Sequence, residues 1–531
     1  MYVRNSRKTF SVLYLVAVLV VVSILSVCGY AKITKGPFLL AVEGNRAALM
    51  WETDTEGGGK VFYGEDQKLE KHIETEPKRL EYKVKEGGET AVSKTVFIHK
   101  VWLEDLEADR DCFYRIASSG AESKIYKFHT VPAGTNEVRF AVYGDCRSYP
   151  ERHRKIVEQI LKQKVDFVVN SGDLVTNGDK YEQWGPQFFE PLKGLAENIP
   201  VYIAKGNHEG QGGNFEKLLI PEGWTNNFGF DYGPVHYFCA DNVSEEVVVK
   251  ECLSRIGSDA ESSQSLWKFV SYHIPSVNFG GHWSDWGCPE VFGILSRADV
   301  DFVIVGHSHQ YERFCPVAPA RGTTGSFVTY ITSGGGGAPL YDVEPGVYHA
   351  CAGKIHHFCL FEIKANTLVM DTIDIDGRVI DHIKITKTAG RLDKEYLLTA
   401  VPMEAVRFHQ ELNNALQTPQ LAKPQKGQPF TISYKLSASV LAYPAEITFQ
   451  LRGDELAYRL PEPKTVTMTR EGGQVSIELT VTPLIDIEVP AHKRRRATPI
   501  EPALWVDCHY KIGWLKEAIS RKVLVESSKP M

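Results

Sequence analysis

Between residues 134 and 390 the chain repeats one local pattern: a short apolar run stops, and a side chain able to ligate a metal follows. The five ends are Gly144-Asp145, Gly172-Asp173, Gly206-Asn207-His208, His273 and Gly306-His307-Ser308-His309. Runs such as Val165-Asp166-Phe167-Val168-Val169 and Asp301-Phe302-Val303-Ile304-Val305 read as central strands covered on both faces, with helical stretches such as Glu151 to Gln163 between them. That alternation calls for an α/β domain whose strand ends collect the polar chemistry. A strand that stops at glycine frees the backbone to turn, so the next side chain projects from the sheet edge and residues far apart in sequence can meet. His307 and His309 are two apart, and in an extended segment they point the same way and can serve adjacent ions. Oxygen donors mixed with imidazole suit zinc, manganese or iron, whereas calcium and magnesium prefer oxygen alone. Each piece by itself is an ordinary turn or core residue; the signal lies in the set.

The chain has 531 residues, more than one hydrophobic core supports, so further domains are expected. Residues 32–133 carry short β-type runs separated by polar turns, the pattern of a β-sandwich, and their histidines His72, His99 and His129 read as strand or surface residues. Residues 391–531 alternate again, with Ile447, Phe449 and Leu451 apolar between Glu446, Thr448 and Gln450, and predict a second β-rich domain of unassigned role. The expected architecture is therefore an α/β domain between two all-β sandwich-like domains.

Arg4, Arg7 and Lys8 precede the apolar stretch Phe10 to Val27, and Gly29 and Ala31 follow in a small-x-small arrangement. Residues 1–31 thus read as a signal peptide or membrane anchor, which implies a secreted, periplasmic or cell-surface protein and leaves membrane or cell-surface attachment open. Ten cysteines entering an oxidising compartment can pair or stay as buried thiols, and none is spaced as a structural zinc site. A net charge of −6 gives no electrostatic case for a nucleic-acid partner, and Lys493 to Arg496 reads as a solvated loop. Gly334 to Gly337 lacks the Gly-Lys-Ser/Thr of a nucleotide loop and reads as a flexible turn near the cleft. The oligomeric state is left open.

On these five blocks the middle segment resembles the calcineurin-like metallophosphoesterases. Together with Gly36-Pro37, Trp51, Val61-Phe62-Tyr63-Gly64 and Phe128-His129-Thr130-Val131-Pro132, it is most similar to the purple acid phosphatase branch with its fibronectin-like amino-terminal domain. In that family such a domain is a β-sandwich flanked by helices. The resemblance implies two metal ions, iron with zinc or manganese. It assigns Asp145, Asp173 and His309 to the first ion, and Asp173, Asn207, His273 and His307 to the second, with Asp173 bridging. It implies a phosphate-contacting or proton-donating role for His208 and His282, with Glu209 supporting His208. The expected activity is hydrolysis of phosphate monoesters by hydroxide held on the metals. A phosphodiesterase on the same fold, or a secreted binding protein with an impaired metal site, are the alternatives. Two departures bear on the first ion. Thr176 stands where the purple enzymes have a metal-bound tyrosine, and Arg147 stands where many relatives have a histidine ligand. The first site is then weak, or is completed by water or by a nearby tyrosine, Tyr149 or Tyr181, and Arg147 is free to grip the substrate phosphate through its planar fork or to form an ion pair.

Overall fold

Runs rich in valine, isoleucine and aromatics suit a pleated surface buried on both sides, and those of the middle segment become parallel strands. The computed structural model describes residues 32–84, 91–282, 284, 286–287, 290–343, 345–417, 419–421, 424–488 and 497–526. The leader reading of residues 1–31, the basic run at 493–496, Cys28 and Cys288 lie outside the described residues.

Strands Glu137–Tyr143, Phe167–Asn170 and Val201–Ile203 run parallel at one side of a seven-stranded sheet, which His357–Lys364, Thr367–Asp374, Val379–Thr388 and Arg391–Leu392 complete in antiparallel fashion. A second seven-stranded sheet contains the parallel strands Val235–Cys239, Trp267–Ser271, Phe302–Val305 and Thr329–Ser333. Aromatic side chains join the two sheets. Phe140 stacks on Phe167 and Phe361 of its own sheet at 4.7 and 5.0 Å, and meets Phe269 of the other edge-on at 5.2 Å. Such offset and edge-on pairs favour one fixed interleaving of the rings beyond the area they bury. Helix Pro150–Leu161 opens with proline in its first turn and buries His153, Ile156, Val157 and Ile160, one helical stripe.

His236, in the strand Val235–Cys239, is nearly buried and lies between Asp231 at 2.9 Å and Asp259 at 2.8 Å. Burial alone would lower its pKa, but the two carboxylates outweigh it and raise it to about 9. An imidazole with a folded pKa above its unfolded value of 6.5 binds its proton more tightly in the native state. The resulting stability is complete below pH 6.5 and is lost as pH climbs through 9. Asp231 is 64% exposed, so solvent screening holds the contribution to the order of 1–3 kcal/mol. Urea unfolding should therefore find His236→Gln less stable than the parent by that amount near pH 6, with the gap closing above about pH 9.

The segment after residue 390 is not strands alone. Helix Met403–Gln417 precedes two four-stranded sheets, one holding Phe430–Ala438 and Gly473–Pro483, the other Ala445–Gly453, Leu504–Ile512 and Leu515–Lys522. Ile447, Phe449 and Leu451 face inward, as their alternation requires, and Tyr434 and Phe449, one from each sheet, lie 6.0 Å apart. The helix is hidden from a strand-seeking reading because polar residues occupy its buried face: His409, Gln410 and Asn413 sit beside Val406, Leu412 and Leu416. This helix and both sheets share one apolar core with Phe238, Val270 and Val303 of the second seven-stranded sheet. Polar contacts reinforce it, with Gln410 donating to the Ser276 carbonyl at 2.8 Å and the Tyr348 and Tyr510 hydroxyls 2.9 Å apart.

The other compact unit is the described part of Met1–Pro132 with Lys193–Pro200 and Lys217–Gly223. It contains the antiparallel sheet Ile33–Val42, Ala47–Thr53, Val92–Leu103, Lys78–Val84, and a second built on Gly59–Gly64 and Asp111–Ser118. His99 is a core residue here, stacked on buried Trp51 at 4.7 Å, and burial lowers its pKa to about 4. Among the described residues eight cysteines are free thiols, seven of them buried. Among those residues, too, no helix is long and apolar enough to cross a membrane.

Candidate metal centre

Parallel strands release their chains at a common edge, so Tyr143, Asn170, Ile203, Ser271 and Val305 each end where the next loop can reach its neighbours. The turning follows the sequence expectation at Gly172, which takes a φ of 100°, and departs from it elsewhere. Gly144 and Gly306 keep ordinary backbone angles, and the residues after the glycines, Asp145, Asp173 and His307, take positive φ of 57°, 59° and 69°. Left-handed backbone at three non-glycine residues costs on the order of 1 kcal/mol or more each, strain of the kind that concentrates at functional sites. Gly306 is needed for closeness instead, since a Cβ there would stand 2.5 Å from Asp145 Oδ2. Gly334 to Gly337 is likewise no flexible turn. All four residues are buried, and a Cβ on Gly334 would meet the Ser308 carbonyl at 2.2 Å and Asp145 Oδ2 at 2.9 Å.

The structure brings Asp145, Asp173, Asn207, His273, His307 and His309 into one neighbourhood. His273 Nε2 lies 3.2 Å from Asp173 Oδ1 and 3.1 Å from Asn207 Oδ1, which in turn is 2.9 Å from His307 Nδ1. His273 donates through Nδ1 to the Ser171 carbonyl at 2.8 Å, leaving Nε2 directed at this group. Burial opposes a proton on His273, but the charges of Asp173 and Asp145 outweigh it and raise its pKa to about 9, whereas burial with His273 and His282 nearby lowers His307 to about 3. Burial would also raise Asp173, yet the His273 charge and its hydrogen bonds hold that carboxyl well below the usual range. Asp145, Asp173 and His273 each present a ligand atom within 4.8 Å of the others. Buried Asp145 Oδ1 has no hydrogen-bond donor among the described residues. An orphaned carboxylate oxygen beside converging acceptors is a place for a cation. Ligands at right angles around an ion 2.1 Å away are separated by about 3 Å, which the Asp173, Asn207, His273 and His307 atoms fit.

The His309 side differs. His309 donates through Nδ1 to the Pro339 carbonyl at 2.7 Å and stacks on Tyr341 at 4.6 Å, so its Nε2 offers a lone pair, 3.3 Å from Asp145 Oδ1. Arg147 takes it up: Nη2 is 3.4 Å from His309 Nε2, Nε donates to Asp173 Oδ2 at 3.2 Å, and Nη1 to Ser148 Oγ at 3.3 Å. Thr176 is engaged with Gln187 at 3.0 Å, Tyr149 lies under the Arg152 guanidinium at 4.2 Å, and Tyr181 is buried in the turn Tyr181–Gln183. The segment carrying His307 and His309 is a tight turn and not an extended strand, with Ser308 N–H donating to the Gly306 carbonyl at 2.8 Å.

His208 donates its backbone N–H to Asp173 Oδ1 at 2.9 Å and its ring Nδ1–H to the Thr176 carbonyl at 2.7 Å, which leaves Nε2 facing Asp173 Oδ2 at 3.8 Å. His282 is exposed, its ring 4.3 Å from that of His307. Glu209 is not a support for His208. Its buried carboxylate accepts the amides of Asp173, Leu174 and Gly206 at 2.9, 2.8 and 2.7 Å, tying two of the loops together. Asn242 is a residue that sequence reasoning passed over. Its Oδ1 accepts the amides of His273 and Ile274, both at 3.1 Å. The signal was present, because Asn242 also follows an apolar run, Val235–Cys239.

This arrangement of strand ends has a counterpart among known families. Residues 138–311 match the calcineurin-like phosphoesterase family. The calcineurin-like segment spans all five blocks. Over 374 residues the chain is 25% identical to "Probable inactive purple acid phosphatase 1" of Arabidopsis thaliana, covering 55% of this chain and 58% of that protein. "Purple acid phosphatase 22" of the same plant is 26% identical over 280 residues, covering 48% and 63%. The chain thus spans about three-fifths of the length of these curated relatives. A purple acid phosphatase isolated from yellow lupin (Lupinus luteus) seeds shares the fold, with a TM-score of 0.57 at 17% identity over 70% of this chain and 77% of that one.

Proposed function

We propose that the chain hydrolyses phosphate esters at the edge where Asp145, Asp173, Asn207, His273, His307 and His309 meet. The observation that carries this reading is His273 Nε2 at 3.2 Å from Asp173 Oδ1 and 3.1 Å from Asn207 Oδ1, with His307 Nδ1 2.9 Å from the same amide oxygen, metal-type donor atoms converging at one sheet edge. When bound there, a divalent ion of the zinc, manganese or iron type lowers the pKa of water and screens the phosphate charge. Phosphate monoesters are the first substrate class, in keeping with the printed names of the acid phosphatase relatives. Export from the cytoplasm is part of the proposal and rests on the apolar stretch Phe10 to Val27.

The protein's own residues supply the remaining steps. Three of the five guanidinium N–H groups of Arg147 are taken by Asp173, Ser148 and His309, which leaves two to hold phosphate oxygens in a fixed orientation. His208, fixed through Nδ1, has Nε2 available to pass a proton to the departing oxygen, and His282 is placed to do so from the rim. Beyond His282 lies a cavity of about 1050 Å³, lined also by His349, His409, Arg452, Trp505 and Arg521, which gives the leaving group room against the carboxy-terminal sheet.

The test is phosphate release from an aryl monoester and the matching diester by protein purified without chelator, then after metal removal and after its return. His208→Ala or His282→Ala should lower turnover roughly 10²-fold with metal content unchanged. A second reading, phosphate binding without turnover, is favoured by Arg147 at a ligand position and by the word "inactive" in the name of one relative. Saturable phosphate binding with no release from either ester, metal present, would select it.

A further inference from the structure

We infer that Arg147 takes the place of the first ion, so that this centre holds one divalent cation, at Asp173, Asn207, His273 and His307, and not two. The inference rests on the hydrolase reading above and concerns how its site is charged. An imidazole nitrogen has a single in-plane lone pair, and that of His309 Nε2 receives Arg147 Nη2 at 3.4 Å, so a metal at this nitrogen and the arginine contact exclude each other. The same guanidinium donates to Asp173 Oδ2 at 3.2 Å, the atom a bridging carboxylate would turn toward a first ion. Arginine keeps its proton at any working pH and cannot become a ligand.

Charge balance points the same way. Asp145 and Asp173 bring two negative charges, and Arg147 with one divalent ion already leaves the pocket net positive, enough to attract a phosphate ester. A second divalent ion would stand against the guanidinium, and the nearby Glu209 carboxylate is already committed to the amides of Asp173, Leu174 and Gly206. The ligands that complete the first position elsewhere in the family are also missing, since Thr176 Oγ1 is engaged with Gln187 Oε1 at 3.0 Å and with Ser148 Oγ at 3.3 Å. Asp145, whose Oδ1 accepts no hydrogen bond among the described residues, lies in the same ligand cluster as Asp173 and His273 and lends its charge to the one ion.

The experiment is to load the metal-stripped full chain with Mn²⁺, remove the excess, and determine manganese per chain together with the electron paramagnetic resonance spectrum. One equivalent with an uncoupled Mn²⁺ signal is expected for the parent, and a second equivalent with a spin-coupled signal for Arg147→His, which supplies an imidazole at that place. Arg147→Gln, near in shape and uncharged, serves if the histidine variant does not fold, and should also admit a second ion. Two coupled ions in the parent, or one ion in folded Arg147→His and Arg147→Gln alike, overturn the inference while leaving the hydrolase reading intact. No bound manganese in the parent, with none of zinc or iron either, sinks both.

Discussion

Asp173→Asn is expected to lower phosphate-ester hydrolysis by roughly 10³-fold and to strip the purified protein of metal, while the circular dichroism spectrum stays that of the parent. The side chain keeps its size, so packing is not the cause. Asp173 is almost fully buried, and its two oxygens accept the His208 amide and the Arg147 guanidinium while facing His273 Nε2 at 3.2 Å. An amide replaces one acceptor by a donor, which must then point at either the His208 N–H or Arg147. It also removes the charge that outweighs burial at His273. Elemental analysis beside steady-state rates checks the result; a variant that retains both metal and rate would remove Asp173 from the centre of the site.

Glu209→Ala should be the most destabilising single change near the cleft, by about 3 kcal/mol or more in urea unfolding of the metal-free protein. Three backbone amides, those of Asp173, Leu174 and Gly206, lose their acceptor at once, and each orphaned buried N–H costs on the order of 1–3 kcal/mol. Burial and the neighbouring Asp173 raise the Glu209 carboxyl, the His273 charge and the Leu174 and Asp173 amides oppose them, and the balance leaves it raised to about 7. Glu209→Gln, which keeps one carbonyl oxygen, should lose less than the alanine variant. Equal losses would mean that the side chain acts by filling space.

The five strand ends could be read from sequence because the contrast between a buried apolar run and the polar residue that ends it is local. Asn207 follows Val201–Ile203, and His307 follows Phe302–Val305, with only a few residues between. What escaped was whatever depends on distant loops. Arg147 and His309 are 162 residues apart, and no spacing rule predicts that a guanidinium crosses to that imidazole. Glu209 suggested a service to its neighbour His208, yet the amides it accepts lie mostly in the loop after Phe167–Asn170. The helix Met403–Gln417 was lost in a segment of strands because buried His409, Gln410 and Asn413 dilute its apolar stripe.

The core that joins the second seven-stranded sheet to the carboxy-terminal sheets has a further meaning for how this protein can vary. Arg452 and Trp505 line the cavity beside His282 from paired strands whose neighbouring residues on the other face, Leu451 and Val506, are sealed in that core. On the proposed hydrolase reading, substrate preference is therefore written on the back of a load-carrying wall: the side chains toward the cavity can be exchanged one at a time, but the sheet that bears them cannot be shed or replaced without exposing the oily side of the second seven-stranded sheet to water.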